Sequence, residues 1–265
     1  MEKKYLIIKC GGSILDNLPT AFYQTVCELN KGTEWQPILV HGGGPHITTL
    51  LEKLDVPSLF NKGLRVTTND VLDIVEMVLC GSVNKQIVRA LASFGTQAIG
   101  MSGMDADLLT ARPINEEKLG FVGEIVEVNP TLIEQISTLG YVPVVAPLAT
   151  SETGQRYNVN GDLAAAALAK ALNGYLCFVS NIDGVWKEEQ GVKTIFQHLT
   201  PEDVEGLISE QVIQGGMIPK VKAAVDSLLT GVHEVVIING MEEANLKAYA
   251  EGQPVGTKFV HGKKH

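Results

Sequence analysis

The sequence has few of the features that would tie it to a disulfide scaffold, a membrane or a polyanion. Only four of its 265 residues are cysteine, Cys10, Cys27, Cys80 and Cys177, and no two stand in CxxC spacing. They lie mostly inside apolar segments, so they read as small buried hydrophobes rather than disulfide partners or zinc ligands. No apolar run approaches the length that spans a bilayer, and Met1-Glu2-Lys3-Lys4 leads into too short an apolar stretch for a signal peptide. A cytoplasmic protein without a membrane partner is expected. A block of one charge is also missing: 30 acidic residues against 21 basic ones give −9, spread along the chain. That argues against a general nucleic-acid surface. With no short repeat and no Pro/Ser-rich linker, residues 1–265 read as a single domain with a soft internal boundary at Leu172 to Gly174.

What is present is enough apolar residue, 45% of the chain, to bury a full core. Short apolar runs at Tyr5–Ile8, Pro37–Val40, Gln97–Met101, Tyr141–Ala146, Tyr175–Val179 and Glu234–Ile238 alternate with segments of helical spacing, among them Val71–Leu91, Asp162–Leu172 and Val221–Leu229. Strands that are apolar throughout need cover on both faces. The fold class is therefore α/β, three layers deep: an open, mostly parallel central sheet between helices. Two stretches break the rhythm. Leu108–Asn129 reads as an antiparallel hairpin and Asn61–Thr67 as a smaller one, both projecting from the sheet.

Four motifs carry chemistry. In "YLIIKCGGSI" a buried strand ends on Lys9, followed by Gly11 and Gly12. Ligands of open parallel sheets gather at carboxyl strand ends, where a lysine beside approachable backbone amides suits a phosphate. In "PILVHGGGPHITTLLEKL" a strand delivers His41, then Gly42, Gly43 and Gly44, with Pro45 at a first helical position. Free N–H groups there outline an anion site, although neither a P-loop nor GxGxxG is present. In "RYNVNGDLAAAALAKAL" Asn158 and Asn160 flank Val159 and point the same way, and Asp162 stands where a helix N-cap is expected. In "QGGMIPKVKAAVDSLL" Lys220 and Lys222 open an amphipathic helix at the end where cations oppose the macrodipole, so a ligand anion is implied.

Together, in this order, "IIKCGGS", "VHGGGP", "NKGLRVT", "SGMDADLLTA", "GFVGEI", "YNVNGD", "SNIDGV" and "GGMIPKV" resemble the amino acid kinase family over essentially the whole chain, and within it the acetylglutamate kinases. The resemblance implies phosphoryl transfer from ATP, carrying Mg2+, to the side-chain carboxylate of N-acetyl-L-glutamate. Lys9 and Lys220 would stabilise the transferring group and Asp162 would orient them. The acceptor would meet the amides of Gly43 and Gly44, Arg65 at its α-carboxylate, and Asn158 and Asn160. ATP would lie beside Gly11, Gly12, Ser180, Asn181, Gly184, Val185, Met217 and Lys220. Residues 1–172 would form the acceptor-binding lobe with the subunit contact, and 173–265 the ATP lobe. No protein metal ligand is expected.

The sequence departs from the family at Gly161, Met104 and Asn181, where alanine, lysine and aspartate respectively are frequent. The glycine implies a looser backbone before Asp162. Arginine-inhibited members carry an extra N-terminal helix, whereas the first strand here starts near Tyr5, so a homodimer insensitive to arginine is expected, with Val71–Leu91 as the subunit contact. Relatives acting on aspartate, glutamate or carbamate, or a non-catalytic sensor on the same scaffold, are the alternatives.

Overall fold

The computed structural model describes residues 3–189 and 191–262; the outer ends of the 1–265 span lie outside the described residues. Eight strands make one sheet: Lys4–Cys10 (β1), Trp35–His41 (β2), Ala98–Ser102 (β3), Val142–Ala146 (β4), Tyr175–Ser180 (β5), His198–Leu199 (β6), Glu234–Asn239 (β7) and Thr257–Phe259 (β8). Across the sheet the order is β6-β8-β7-β5-β1-β2-β4-β3. All neighbours pair parallel except β7 and β8. All six apolar runs read as strands lie in this sheet. The boundary at Leu172–Gly174 falls between the helix Gly161–Ala171 and β5, yet β5 pairs with β1 from Leu6↔Tyr175 to Cys10↔Val179, so the sheet continues across it.

The strands are apolar throughout because successive side chains enter two different cores. Leu6, Ile8 and Cys10 of β1 join the core beneath Thr20–Lys31 (α1), Gly44–Lys53 (α2) and the long segment 69–92. Ile7 joins the opposite core, beneath Gly161–Ala171 and Met217–Leu229. Burial raises the thiols of Cys10 and Cys177, the former to about 12, so these cysteines pack as inert apolar groups.

The segment read as one helix over Val71–Leu91 is three pieces: Asn69–Glu76 (α3), a π-helical stretch Met77–Val83, and Asn84–Ala92 (α4). Its apolar residues, Val71, Leu72, Ile74, Val75, Val78, Leu79, Val83, Ile87 and Leu91, are buried in the chain's own core. Burial within the chain accounts for these nine, while Met77 in the same segment is exposed.

The Leu108–Asn129 stretch pairs as a hairpin from Leu109↔Val128 to Pro113↔Gly123, with a short helix Glu116–Leu119 at its tip. It does not stand alone: Leu148–Thr150 and Arg156–Val159 close it into a four-stranded barrel. The smaller hairpin, Phe60–Asn61 with Leu64–Arg65, turns on Lys62 and Gly63, both at positive φ (48° and 83°), the backbone a two-residue turn requires.

Candidate active site

Alternation along β1 puts Lys9 on the same face as Ile7, toward Gly161–Ala171, here called α5. There Lys9 Nζ lies 2.7 Å from Asp162 Oδ1. A charge ends this strand because a carboxylate on the facing helix receives it. Asp162 is free to do so because it is not the cap of α5. The side chain of Asn160 takes that role, accepting from the amides of Asp162 (2.8 Å) and Leu163 (3.2 Å). Asn160→Ala should lower stability by about 1 kcal/mol in thermal unfolding, and Asn160→Asp, which still accepts those bonds, should recover most of it.

Lys220 lies in the first turns of Met217–Leu229 (α6), one turn inside rather than at its opening. Its Nζ donates to Ser180 Oγ at the end of β5 (3.2 Å). Its pKa is lowered by burial and then by the like charge of Lys9, with Asp162 opposing. A central strand and two helices on one face of the sheet thus bring two ammonium groups and one carboxylate together.

A cavity at this cluster is lined by Lys9, Gly11, Ser13, Asp162, Ser180, Asn181, Lys220 and the apolar side chains of Ile14, Phe178 and Ile237, among others. Gly12, Gly184, Val185 and Met217, expected beside a nucleotide, stand back from its lining. Val185 is fully buried and its amide donates to Thr257 Oγ1 (2.8 Å), while Gly184, at φ 131°, packs against Thr257 and Gly256. Both shape the turn after β5. Met217 packs on the second-face core. Gly12 instead lets two loops meet: a Cβ there would sit 2.7 Å from the amide nitrogen of Gly43.

A second cavity opens beyond α5, lined by Gly42, Gly43, Gly44, Arg65, Asn158, Asn160 and Gly161, with Ile47, Leu64, Leu79 and Val122 supplying apolar wall. Gly43 is the N-cap of α2 and Gly44 its first residue, so Pro45 is second in the helix, and the first amides have no partner within it. Arg65 is held by Ser58 Oγ, Gly44 O (3.1 Å) and Thr48 Oγ1 (2.8 Å), with Phe60 against its guanidinium at 4.6 Å. Asn158 Nδ2 donates to Thr67 Oγ1 (3.1 Å), and Arg156 fastens the same strand to α3 through Asp73 (2.8 Å) and Glu76. The two cavities adjoin at consecutive residues, Gly161 lining one and Asp162 the other.

A sequence model of the amino acid kinase family matches residues 4–239. The chain belongs to the amino acid kinase family. This amino acid kinase is 46% identical over 252 residues to the acetylglutamate kinase of Oceanobacillus iheyensis, covering 95% of each chain. It is 43% identical over 263 residues to the acetylglutamate kinase of Bacillus subtilis strain 168, covering 99% of this chain and 98% of that one. Among solved structures, smu.665 from Streptococcus mutans UA159 superposes with a TM-score of 0.78 at 28% identity, covering 97% of this chain and 99% of the other.

Two of the three family departures, at Gly161 and Met104, have local explanations. Gly161 does not leave the turn loose, because Asn160 caps the helix across it. A Cβ at Gly161 would meet His41 O and Lys9 Cε at 3.6 Å, ordinary contact, and its φ is not left-handed. Gly161→Ala should raise stability by about 0.5 kcal/mol with turnover retained, read by thermal unfolding and steady-state rate. Met104 packs against the first core, and Asp105 accepts from Ser102 N (2.6 Å) and Oγ (3.0 Å), a turn-forming role. Sequence reasoning missed Thr48, Ser58 and Thr67, which hold Arg65 and Asn158. Isolated hydroxyls carry no spacing signal.

Proposed function

We propose that this chain transfers the γ-phosphoryl group of ATP to the side-chain carboxylate of N-acetyl-L-glutamate, giving N-acetyl-L-glutamyl 5-phosphate, an early step of arginine biosynthesis. The observation that carries the reading is the pair of adjoining cavities, one of them lined by Lys9, Asp162 and Lys220, in a chain 43–46% identical to acetylglutamate kinases over nearly its full length.

A carboxylate attacking a phosphate brings two anions together, and the loose transition state leaves little for covalent catalysis to do. Cations around the equatorial oxygens are the available means. Lys9 and Lys220 supply them, and Asp162, 2.7 Å from Lys9 Nζ, fixes where that ammonium points. The nucleophile is ionised at neutral pH, so Asp162 acts as an organiser and no general base is required. In the second cavity Arg65 grips the α-carboxylate in two-point fashion. The amides of Gly43 and Gly44, with Asn158 and Asn160, hold the remaining polar groups, and the apolar wall takes the acetyl methyl. The acetyl group blocks the amine that would otherwise cyclise onto the acyl phosphate.

Mg2+ enters with ATP as part of the substrate. Phosphate oxygens and water would hold the ion. When bound, it would neutralise charge on the β- and γ-phosphates.

In this reading the acceptor belongs to the 1–172 lobe and ATP to the 173–265 lobe, and the enzyme works as a cytoplasmic homodimer. No helix among the described residues is long and apolar enough to cross a membrane. Support for a dimer comes from the free edge of β3 at one end of the sheet and from Met77, 57% exposed on the neighbouring helical segment. Light scattering should give twice the chain mass, 28.5 kDa; a stable monomer or hexamer overturns this.

The deciding experiment traps acyl phosphate with hydroxylamine in the presence of ATP and Mg2+, offering N-acetylglutamate beside aspartate, glutamate and carbamate. A strong preference for N-acetylglutamate is expected. Turnover of another acceptor instead would move the specificity, and silence with all of them in folded, ATP-binding protein would remove the kinase reading.

A further inference from the structure

Beneath the glycine loop lies a polar network that the reaction as derived does not use. His41 and Asn84 are both fully buried. The amide nitrogen of Asn84 lies 2.9 Å from Val144 O, 3.2 Å from Met101 O and 3.1 Å from His41 Nε2. Two of these neighbours are carbonyls, which only accept, so the NH2 end of Asn84 must face them and its two hydrogens are shared among the three. His41 Nε2 is then an acceptor, which leaves the ring proton on Nδ1. That atom is 3.0 Å from Gly42 O. Burial pushes the His41 pKa down to about 4, so the ring stays neutral and keeps this tautomer at neutral pH.

The consequence follows from peptide geometry. Gly42 C=O and Gly43 N–H belong to one trans peptide and point in opposite directions. Holding Gly42 O against the imidazole therefore aims Gly43 N–H away from it, and Gly43 lines the second cavity. We infer that His41 and Asn84 are positioning residues for the acceptor: a buried strut that sets the 42–43 peptide plane, so that the Gly43 amide faces the second cavity.

Two further features belong to the strut. The π-helical stretch Met77–Val83 ends directly before Asn84 and packs Leu79 so close that a Cβ on Gly43 would come within 2.6 Å of it. In β3, Gly100 leaves the space that the Asn84 amide occupies: a Cβ there would lie 1.8 Å from Asn84 Oδ1. The π turn brings Asn84 inward, and Gly100 admits it.

The inference rests on the proposed binding of acceptor by the glycine loop, and the test separates the two. His41→Leu should raise the acceptor KM about tenfold, the effect of losing one buried hydrogen bond, while the KM for ATP stays within about twofold. His41→Asn, whose side-chain nitrogen replaces Nδ1, should return the acceptor KM to within about threefold of the parent. Gly100→Ala, which displaces Asn84 without touching the loop, should repeat the His41→Leu pattern and replaces it if that variant does not fold. Equal shifts in both KM values, or no rescue by asparagine, would overturn the strut. Amide exchange with N-acetylglutamate supplies the separation. Protection of Gly43 in the parent but not in His41→Leu is expected. Equal protection in both defeats the strut alone, and no protection in the parent defeats the reading of the loop together with it.

Discussion

Lys9→Ala is expected to lower turnover about a thousandfold while leaving the fold intact, because a cation aimed at developing phosphoryl charge acts mainly in the transition state. Lys9 Nζ has Asp162 as its partner at 2.7 Å, and the Asp162 side chain is 36% exposed, so its orphaned carboxylate still reaches water. The stability cost is therefore small, unlike that of breaking a fully buried pair. Lys220→Ala should behave similarly. Its side chain lines the same cavity as that of Lys9, so both cations can act on one anion. The measurement is kcat at saturating ATP and acceptor, beside the urea midpoint of each variant. Near-normal turnover in both would sink the mechanism; lost turnover with a matching loss of midpoint would make the lysines structural.

Arg65→Lys should weaken acceptor binding between about thirtyfold and a hundredfold, with nucleotide binding little changed. Arg65 is 8% exposed and desolvation lowers its pKa, yet its guanidinium is anchored on several sides at once, by Ser58, Gly44 O and Thr48, with Phe60 against it. A planar fork satisfies those partners while keeping donors for a carboxylate. One ammonium cannot do both. Calorimetry with N-acetylglutamate and, separately, with a non-hydrolysable ATP analogue distinguishes the cases. Intact acceptor affinity with weakened nucleotide binding would mean that the two substrates occupy the opposite cavities.

The sheet was legible because its strands are apolar on both faces, and only a sheet covered twice produces that pattern. The Leu108–Asn129 hairpin was legible as a pair of strands, but its closure with Leu148–Thr150 and Arg156–Val159 depends on contacts between residues far apart in the chain. The segment Val71–Leu91 shows where local pattern is ambiguous. Apolar spacing is the same whether a partner subunit or the chain's own core covers it, and here the core covers nine of its residues. The wider π turn within it leaves no mark on helical periodicity. Asp162 was placed at a helix start by composition, and Asn160 equally suits a cap. Which of them caps was decided by Lys9, whose ammonium takes the Asp162 carboxylate.

By itself the sequence determined the layer architecture, the strand-end positions of Lys9 and the glycine loop, and the set of polar residues available for chemistry, because periodicity and turn chemistry are local properties. Only the tertiary structure decided which of those residues meet. It brought Lys9, Asp162 and Lys220 from β1, α5 and α6 into one cavity that adjoins a second at Gly161–Asp162, set Gly184, Val185 and Met217 back from the lining, and gave Arg65 its anchors. The physical reason is that a cavity forms between elements whose approach is set by packing in two separate cores, and neither core is written in any one stretch of the chain.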